Sequence, residues 1–347
     1  MNELSIQSRS KGALYGMYIG DALAMPVHWY YDRDSLKRDY GVVKEYLPPK
    51  NPHPDSELWK YHYQPTGARD NILHDQAPYW GRRGVHYHQF LEAGENTLNV
   101  KLCSLLIESI NGKGSYETQD YLRRLIAFMT TPGHHRDTYV DEYLRGFFRN
   151  YASGKPLHEC GILEKHLSGL IGAVPLVILY RENPDKAMAT ALEHVALTHK
   201  GPLMEEAAAL FVNLLLECFS GKDARAALMR MIEEKENFFL QKPFVDLLDE
   251  ADDHVVDHHL GVGCFLDQSL PVVIYLFLKY LHQPEEALIM NTNLGGNNAA
   301  RGAVLGALLG ASRGIEAFPD RWIRGLLLPP LEVGRKETKL LLTKESL

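Results

Sequence analysis

Four cysteines in 347 residues, Cys103, Cys160, Cys218 and Cys264, are too few and too widely spaced for a disulfide framework, and no CxxC pair offers a zinc or redox motif. They fall inside apolar helical patterns, where a free thiol packs as a small hydrophobe, and they read as reduced thiols of a cytoplasmic protein. Long apolar runs are also missing. The stretches around Leu270 to Leu278 and Ala303 to Ala311 fall far short of the roughly 20 residues that cross a bilayer, so no membrane span is expected. The opening MNELSIQSRSKGAL lacks the apolar centre of a secretory signal. Positive charge is scarce: 37 Lys and Arg against 44 Asp and Glu give a net charge of -7 and a pI near 6.1. No basic stripe neutralises phosphates, which argues against DNA or RNA as partner. Glycine and proline are scattered, so neither disorder nor a linker is indicated.

What is present is helical periodicity. Asn99 to Ile110 places Val100, Cys103, Leu105, Leu106 and Ile110 on one face, and Thr118 to Met129 repeats the pattern with Tyr121, Leu122, Leu125, Ile126 and Met129. Further helical patterns run over 169–180, 184–197, 204–219, 224–235, 269–280, 285–290 and 299–311. Period-2 alternation bounded by hairpin turns is absent, so the class is all-α. Length alone permits one large domain or two ordinary ones. With no composition shift to mark a boundary, a single domain over 1–347 is expected.

Two stretches break the pattern. Tyr40 to Tyr87 is crowded with Pro, Gly, His, Asn and Tyr, too aromatic for a flexible linker and too punctuated for a helix. A long structured loop of this kind is expected to cover a site. The second is TTPGHHRDTY, from Thr130 to Tyr139, a loop leading into another helix.

Three segments carry the candidate chemistry. In GALYGMYIGDALAMPVHWYY, Gly12, Gly16 and Gly20 form a small-residue stripe that lets another helix come close, and Asp21 follows the last of them. In GVHYHQFLEAGENTLN, Glu95, Asn96 and Thr97 stand just ahead of a helix, where side-chain oxygens gather and free N–H groups favour anions; a capped helix start explains the same residues. In NTNLGGNNAARGAVLGALLGA, Gly295 and Gly296 precede Asn297 and Asn298, then a helix rich in Gly and Ala. Such a turn brings backbone and two amides close to a bound group, and equally suits a tightly packed core helix.

In their order and spacing these segments resemble the ADP-ribosylglycohydrolase family, which includes the J1 crystallins and selenoprotein J. Gly20-Asp21-Ala22-Leu23-Ala24 is similar to the family's opening GDALG-like motif. Gly94-Glu95-Asn96-Thr97 lies where a TDDT-like motif belongs, and Gly295-Gly296-Asn297-Asn298-Ala299-Ala300 replaces GGDTDT. The likeness runs from Gly12 to about Leu326 and implies a compact helical bundle, with a core of about 12–326. It also implies a cytoplasmic hydrolase of glycosidic bonds acting on small-molecule or protein-linked ADP-ribosyl substrates with Mg²⁺. Carried over by position, the paired carboxylates become Glu95 and Asn96 in the early motif, Asn297 and Ala299 in the late one. An amide is a weaker ligand than a carboxylate for a hard cation, so a conventional two-metal site is not expected, and a single Mg²⁺ held by Glu95, Asn96 and Asn297, or none, remains.

Glu95 and Asp137 are the candidate acid/base groups. Asp21, His88, Asn96, Thr97, Arg136, Gly295, Gly296, Asn297 and Asn298 are the candidate substrate-binding set, with Arg136 suited to a phosphate. The loss of charge at several ligand positions also fits a non-catalytic relative that binds a nucleotide-sugar or serves a crystallin-like structural role. His254, Asp257, His258 and His259 read as a solvated helix end, since a zinc site needs further ligands in a geometry that sequence does not give. Asp267 is a lesser candidate, and the Thr198-His199 dipeptide reads as packing.

Overall fold

The computed structural model describes residues 5–334. Ser5 caps the first helix, its hydroxyl accepting from Ser8 N–H at 3.1 Å, and α1 runs Ile6–Ala24. A short α2 (Arg33–Tyr40) starts at Asp32, whose carboxylate accepts from Asp34 N–H. The two amphipathic segments read from sequence form α3 (Leu98–Lys113) and α4 (Thr118–Thr130), and α5 (Glu142–Ala152) follows the second loop. α3 ends at Gly114, which is left-handed as a C-cap favours. Next come α6 (Ala173–Tyr180), α7 (Pro184–Ala196), α8 (Pro202–Phe219) and α9 (Ala224–Glu234). Asn183 and Asp223 cap α7 and α9, with Pro184 at the first helical position of α7, where its missing N–H costs nothing.

Two single turns, α10 (Phe244–Leu247) and α11 (Asp252–Val255), precede a π turn over Val256–Leu260. The chain then enters α12 (Leu266–Tyr280), α13 (Pro284–Asn293), α14 (Asn298–Arg313) and α15 (Asp320–Gly325). The expected helix over 169–180 is shorter, because Leu167–Leu170 is a 3₁₀ turn. A two-residue parallel pairing of Ile162–Leu163 with His199–Lys200 is the one strand pair among the described residues. The class is all-α, in a single domain. No described helix is long and apolar enough to cross a membrane.

Antiparallel packing of α1 on α14 organises the core. A Cβ placed on Gly16 would lie 2.0 Å from the Gly306 carbonyl oxygen, one on Gly20 2.0 Å from that of Gly302, and one on Gly12 2.4 Å from that of Gly310. The stripe thus lets two backbones touch, with α12 and α8 wrapped around them, buried and apolar. A second cluster joins α3, α4 and α5. Where the α1–α14 pair ends, the last turn of α1 meets the first turn of α14, and there the polar residues gather.

Candidate active site

Asp21, near the end of α1, is fully buried. Its carboxylate accepts from Thr97 N–H at 2.8 Å, the Thr97 hydroxyl at 2.7 Å and Asn96 Nδ2 at 2.9 Å. Burial raises its pKa and outweighs these donors. Asp21 and Thr97, expected on the substrate, therefore spend these groups on each other, and Asp21 acts as the post to which the start of α3 is tied. Asn96 also donates to Tyr18 O at 2.8 Å, which leaves its Oδ1 buried and unpartnered.

Glu95, one residue earlier, is also buried. Its Oε1 accepts from Lys101 Nζ at 2.8 Å, and its Oε2 from Arg136 Nη2 at 2.6 Å and Glu92 N–H at 2.9 Å. Lys101 lies 3.5 Å from Asp137 Oδ2 as well, so one ammonium holds both candidate carboxylates. Burial would raise the Asp137 carboxyl, but Lys101 and then His88 outweigh it and hold Asp137 below its ordinary range.

From Asp137 a line of polar side chains crosses the site. Asp137 Oδ1 lies 2.6 Å from His88 Nδ1, His88 Nε2 2.7 Å from His28 Nδ1, and His28 Nε2 2.9 Å from Asn297 Oδ1. Burial, then His88, pushes His28 well below its usual pKa. With His28 neutral, Asn297 Oδ1 can only accept, so the ring carries its proton on Nε2 and leaves Nδ1 to accept from His88. The long segment between α1 and α3 packs against this line. His53 of the Tyr40–Tyr87 segment lies 3.0 Å from the carbonyl of His28, and His86 3.0 Å from that of Pro26. Trp29, Tyr87 and Tyr139 pack edge to face above them. Trp29 has φ +64°, a conformation unfavourable for a bulky residue, and its N–H donates to Gly296 O at 2.9 Å.

The glycines of the late motif sit in close backbone contacts. Gly295 and Gly296 have φ of +70° and +65°, and a Cβ on them would lie 2.2 Å from Tyr30 O and 2.0 Å from Val262 O. The turn pairs with the chain after α1, Gly296 N–H donating to Tyr30 O at 2.7 Å, which by itself requires glycine there. Asn298 likewise donates from Nδ2 to Val27 O and Thr292 O, its Oδ1 buried without a partner. Asn297 reaches the site through His28, and Ala299 offers no donor atom.

These residues do not fit a divalent cation. Glu95 already has Lys101 and Arg136, Asn297 Oδ1 meets His28, and Lys101 puts a positive charge beside the one carboxylate that a metal would need. His28 and Lys101 escaped the sequence reading. Lys101 occupies a polar position of an amphipathic helix and resembles a solvated lysine; His28 had only its place two residues after Pro26 to mark it. Asp267 is exposed in the first turn of α12, whereas His199 is buried, as the packing reading expected.

A cavity of about 380 Å³ is bordered by Glu142, Lys165, His166, Lys200 and Phe265, with no residue of this line on its wall. Cys264, next in the chain to Phe265, turns its carbonyl to Asn297 Nδ2 at 3.5 Å.

The chain is 22% identical over 327 residues to an uncharacterized protein of Archaeoglobus fulgidus, covering 92% of each. It is 20% identical to the ADP-ribosyl-[dinitrogen reductase] glycohydrolase of Rhodospirillum rubrum, covering 93% of this chain and 91% of that one. A solved structure titled ADP-ribosylglycohydrolase-related protein complex superposes with a TM-score of 0.64 at 21% identity, covering 94% of both chains. The ADP-ribosylglycohydrolase profile matches residues 2–342, and with the fold and motif order described above, the chain belongs to the ADP-ribosylglycohydrolase family.

Proposed function

We propose that this chain hydrolyses the glycosidic bond of an ADP-ribosyl or related ribosyl group, with Glu95 and Asp137 as its working carboxylates and an internal ammonium where relatives gather cations. The family generally uses divalent metal ions. The observation that carries the reading is Lys101, held between Glu95 and Asp137 at the early motif.

Breaking a ribosyl bond builds positive charge on the sugar ring and requires a water to lose a proton as its oxygen bonds to the anomeric carbon. Asp137 is held ionised, and through His88 it can take that proton, with His28 and Asn297 behind it. The leaving group departs with the bonding pair and takes up a proton from the same hydrogen-bonded line. Glu95 sets negative charge beside the developing cation, and the unpartnered amide oxygens of Asn96 and Asn298 are acceptors for ribose hydroxyls. Arg136, half-exposed at the rim, suits a phosphate. The R. rubrum relative bears the name of a glycohydrolase of this type, which supports a protein-linked substrate.

The test is hydrolysis of ADP-ribosylated protein and of small ADP-ribosides, in Mg²⁺ and in excess chelator. Turnover should persist in chelator, and Asp137→Asn should lower kcat about 100-fold or more. A second reading, a non-catalytic binder of nucleotide-sugars, draws on the engagement of both Glu95 oxygens by the chain itself. Binding of ADP-ribose without turnover under any metal condition would establish it and overturn the first.

A further inference from the structure

The histidines beyond α11 behave differently from a solvated helix end. His254 and His259 are five residues apart, and on an α-helix their side chains would point about 140° away from each other. The π turn over Val256–Leu260, closed by Gly261 N–H donating to Val256 O at 2.7 Å, winds more loosely and narrows that angle. Both rings then aim at Glu250, with His254 Nε2 3.3 Å and His259 Nε2 3.8 Å from Glu250 Oε2. All three ligand atoms lie within 4.8 Å of one another.

These separations are long for hydrogen bonds, which centre near 2.9 Å. Bonds of about 2.0–2.1 Å to a tetrahedral metal put neighbouring donor atoms about 3.3 Å apart, which the His254–Glu250 separation already has and the His259 ring reaches by moving in about 0.5 Å. We propose that Glu250, His254 and His259 bind one zinc-class divalent cation, with the fourth position open to water. Imidazole nitrogen and one carboxylate oxygen are the donors such a borderline ion selects, and Mg²⁺ does not. Neighbouring charges leave the three free to do so. Asp257 is paired with Arg33, and Lys279 turns its ammonium to the Asp252 carboxylate at 3.0 Å and to the backbone carbonyl of Glu250. His258 packs against His254 with ring centroids 4.3 Å apart and planes tilted by 50°.

The site is separate from the Glu95–Asp137 centre yet tied to it along the chain. The π turn runs straight into Gly261 and Val262, and Val262 O accepts from Asn297 N–H at 3.0 Å. An ion there staples the segment against which the late motif packs.

The test is titration of the full chain with Zn²⁺ by calorimetry and with Co²⁺ by visible absorption. One equivalent with the intense spectrum of tetrahedral Co²⁺ is expected. The affinity of that equivalent should fall at least about tenfold in His254→Ala and in His259→Ala, and stay unchanged in the remote, exposed His158→Ala. No binding below millimolar Zn²⁺, an octahedral Co²⁺ spectrum, or affinity equal in all three variants overturns the proposal. All three positions are exposed, so the variants should fold.

Discussion

The α1–α14 pair and the polar layer at its end hold segments of the chain together by opposite means. Along the pair, backbone touches backbone at Gly12, Gly16 and Gly20, with no side chain able to give way. At its end, contact passes through Asp21, Lys101, His88 and His28, whose charges and protons must be mutually satisfied. Steric contact tolerates any pH and no added atom. The polar layer tolerates some change of shape but no loss of a partner.

The largest effect should come from breaking the steric side. Gly16→Leu puts a branched side chain where a single Cβ already lies 2.0 Å from a carbonyl oxygen, and should abolish cooperative unfolding in urea. A variant within about 1 kcal/mol of the parent would show the helices free to separate. Next is Lys101→Met, which strands Asp137 and weakens the hold on Glu95. It should cost about 3–5 kcal/mol, and adding Glu95→Gln to the same chain should recover part of the loss.

The pH dependence sharpens the comparison further. His53 falls to about 4 through burial, and His194 and His199 to about 3 for the same reason. Below the ordinary histidine value of 6.5 the unfolded chain takes up protons that the folded one refuses, so stability falls as pH falls from about 6.5 towards 4. In melts between pH 6.5 and 5.5, His53→Gln should flatten this slope by up to about 1.4 kcal/mol per pH unit. An unchanged slope would mean that His53 takes up its proton in the folded protein. The smallest effect is expected at Arg136→Ala: its side chain is 46% exposed, so stability should change by no more than about 1 kcal/mol, whereas binding of ADP-ribose should weaken measurably in calorimetry.

The two regions also differ in what could be read from sequence. A glycine every four residues states its own purpose, because only a close helix contact makes such spacing useful, and α1 and α14 followed from it. Capped, periodic segments such as α3, α4 and α7 were equally plain. The polar layer was only partly visible. Glu95, Asn96, Asp137, His88, Arg136 and Asn297 were picked by motif position and composition, and the fold brings them to one place. Lys101 was hidden because a lysine on an amphipathic helix looks the same whether it faces water or a buried carboxylate. The contacts of Gly295 and Gly296 were hidden for a related reason. Their partners, Tyr30 and Val262, belong to segments that no local pattern links to them.

The glycine contact between α1 and α14 has a kinetic consequence. Gly20 and Gly302 stand at opposite ends of the sequence, so the central helix pair closes a loop of nearly the whole chain, at an entropic cost of about 5 kcal/mol. On a ribosome adding about 5–20 residues per second, α1 emerges about 15–60 s before α14 exists. The first helix made is therefore among the last to be seated, and its bare glycine face must wait, unpartnered, until synthesis is almost complete.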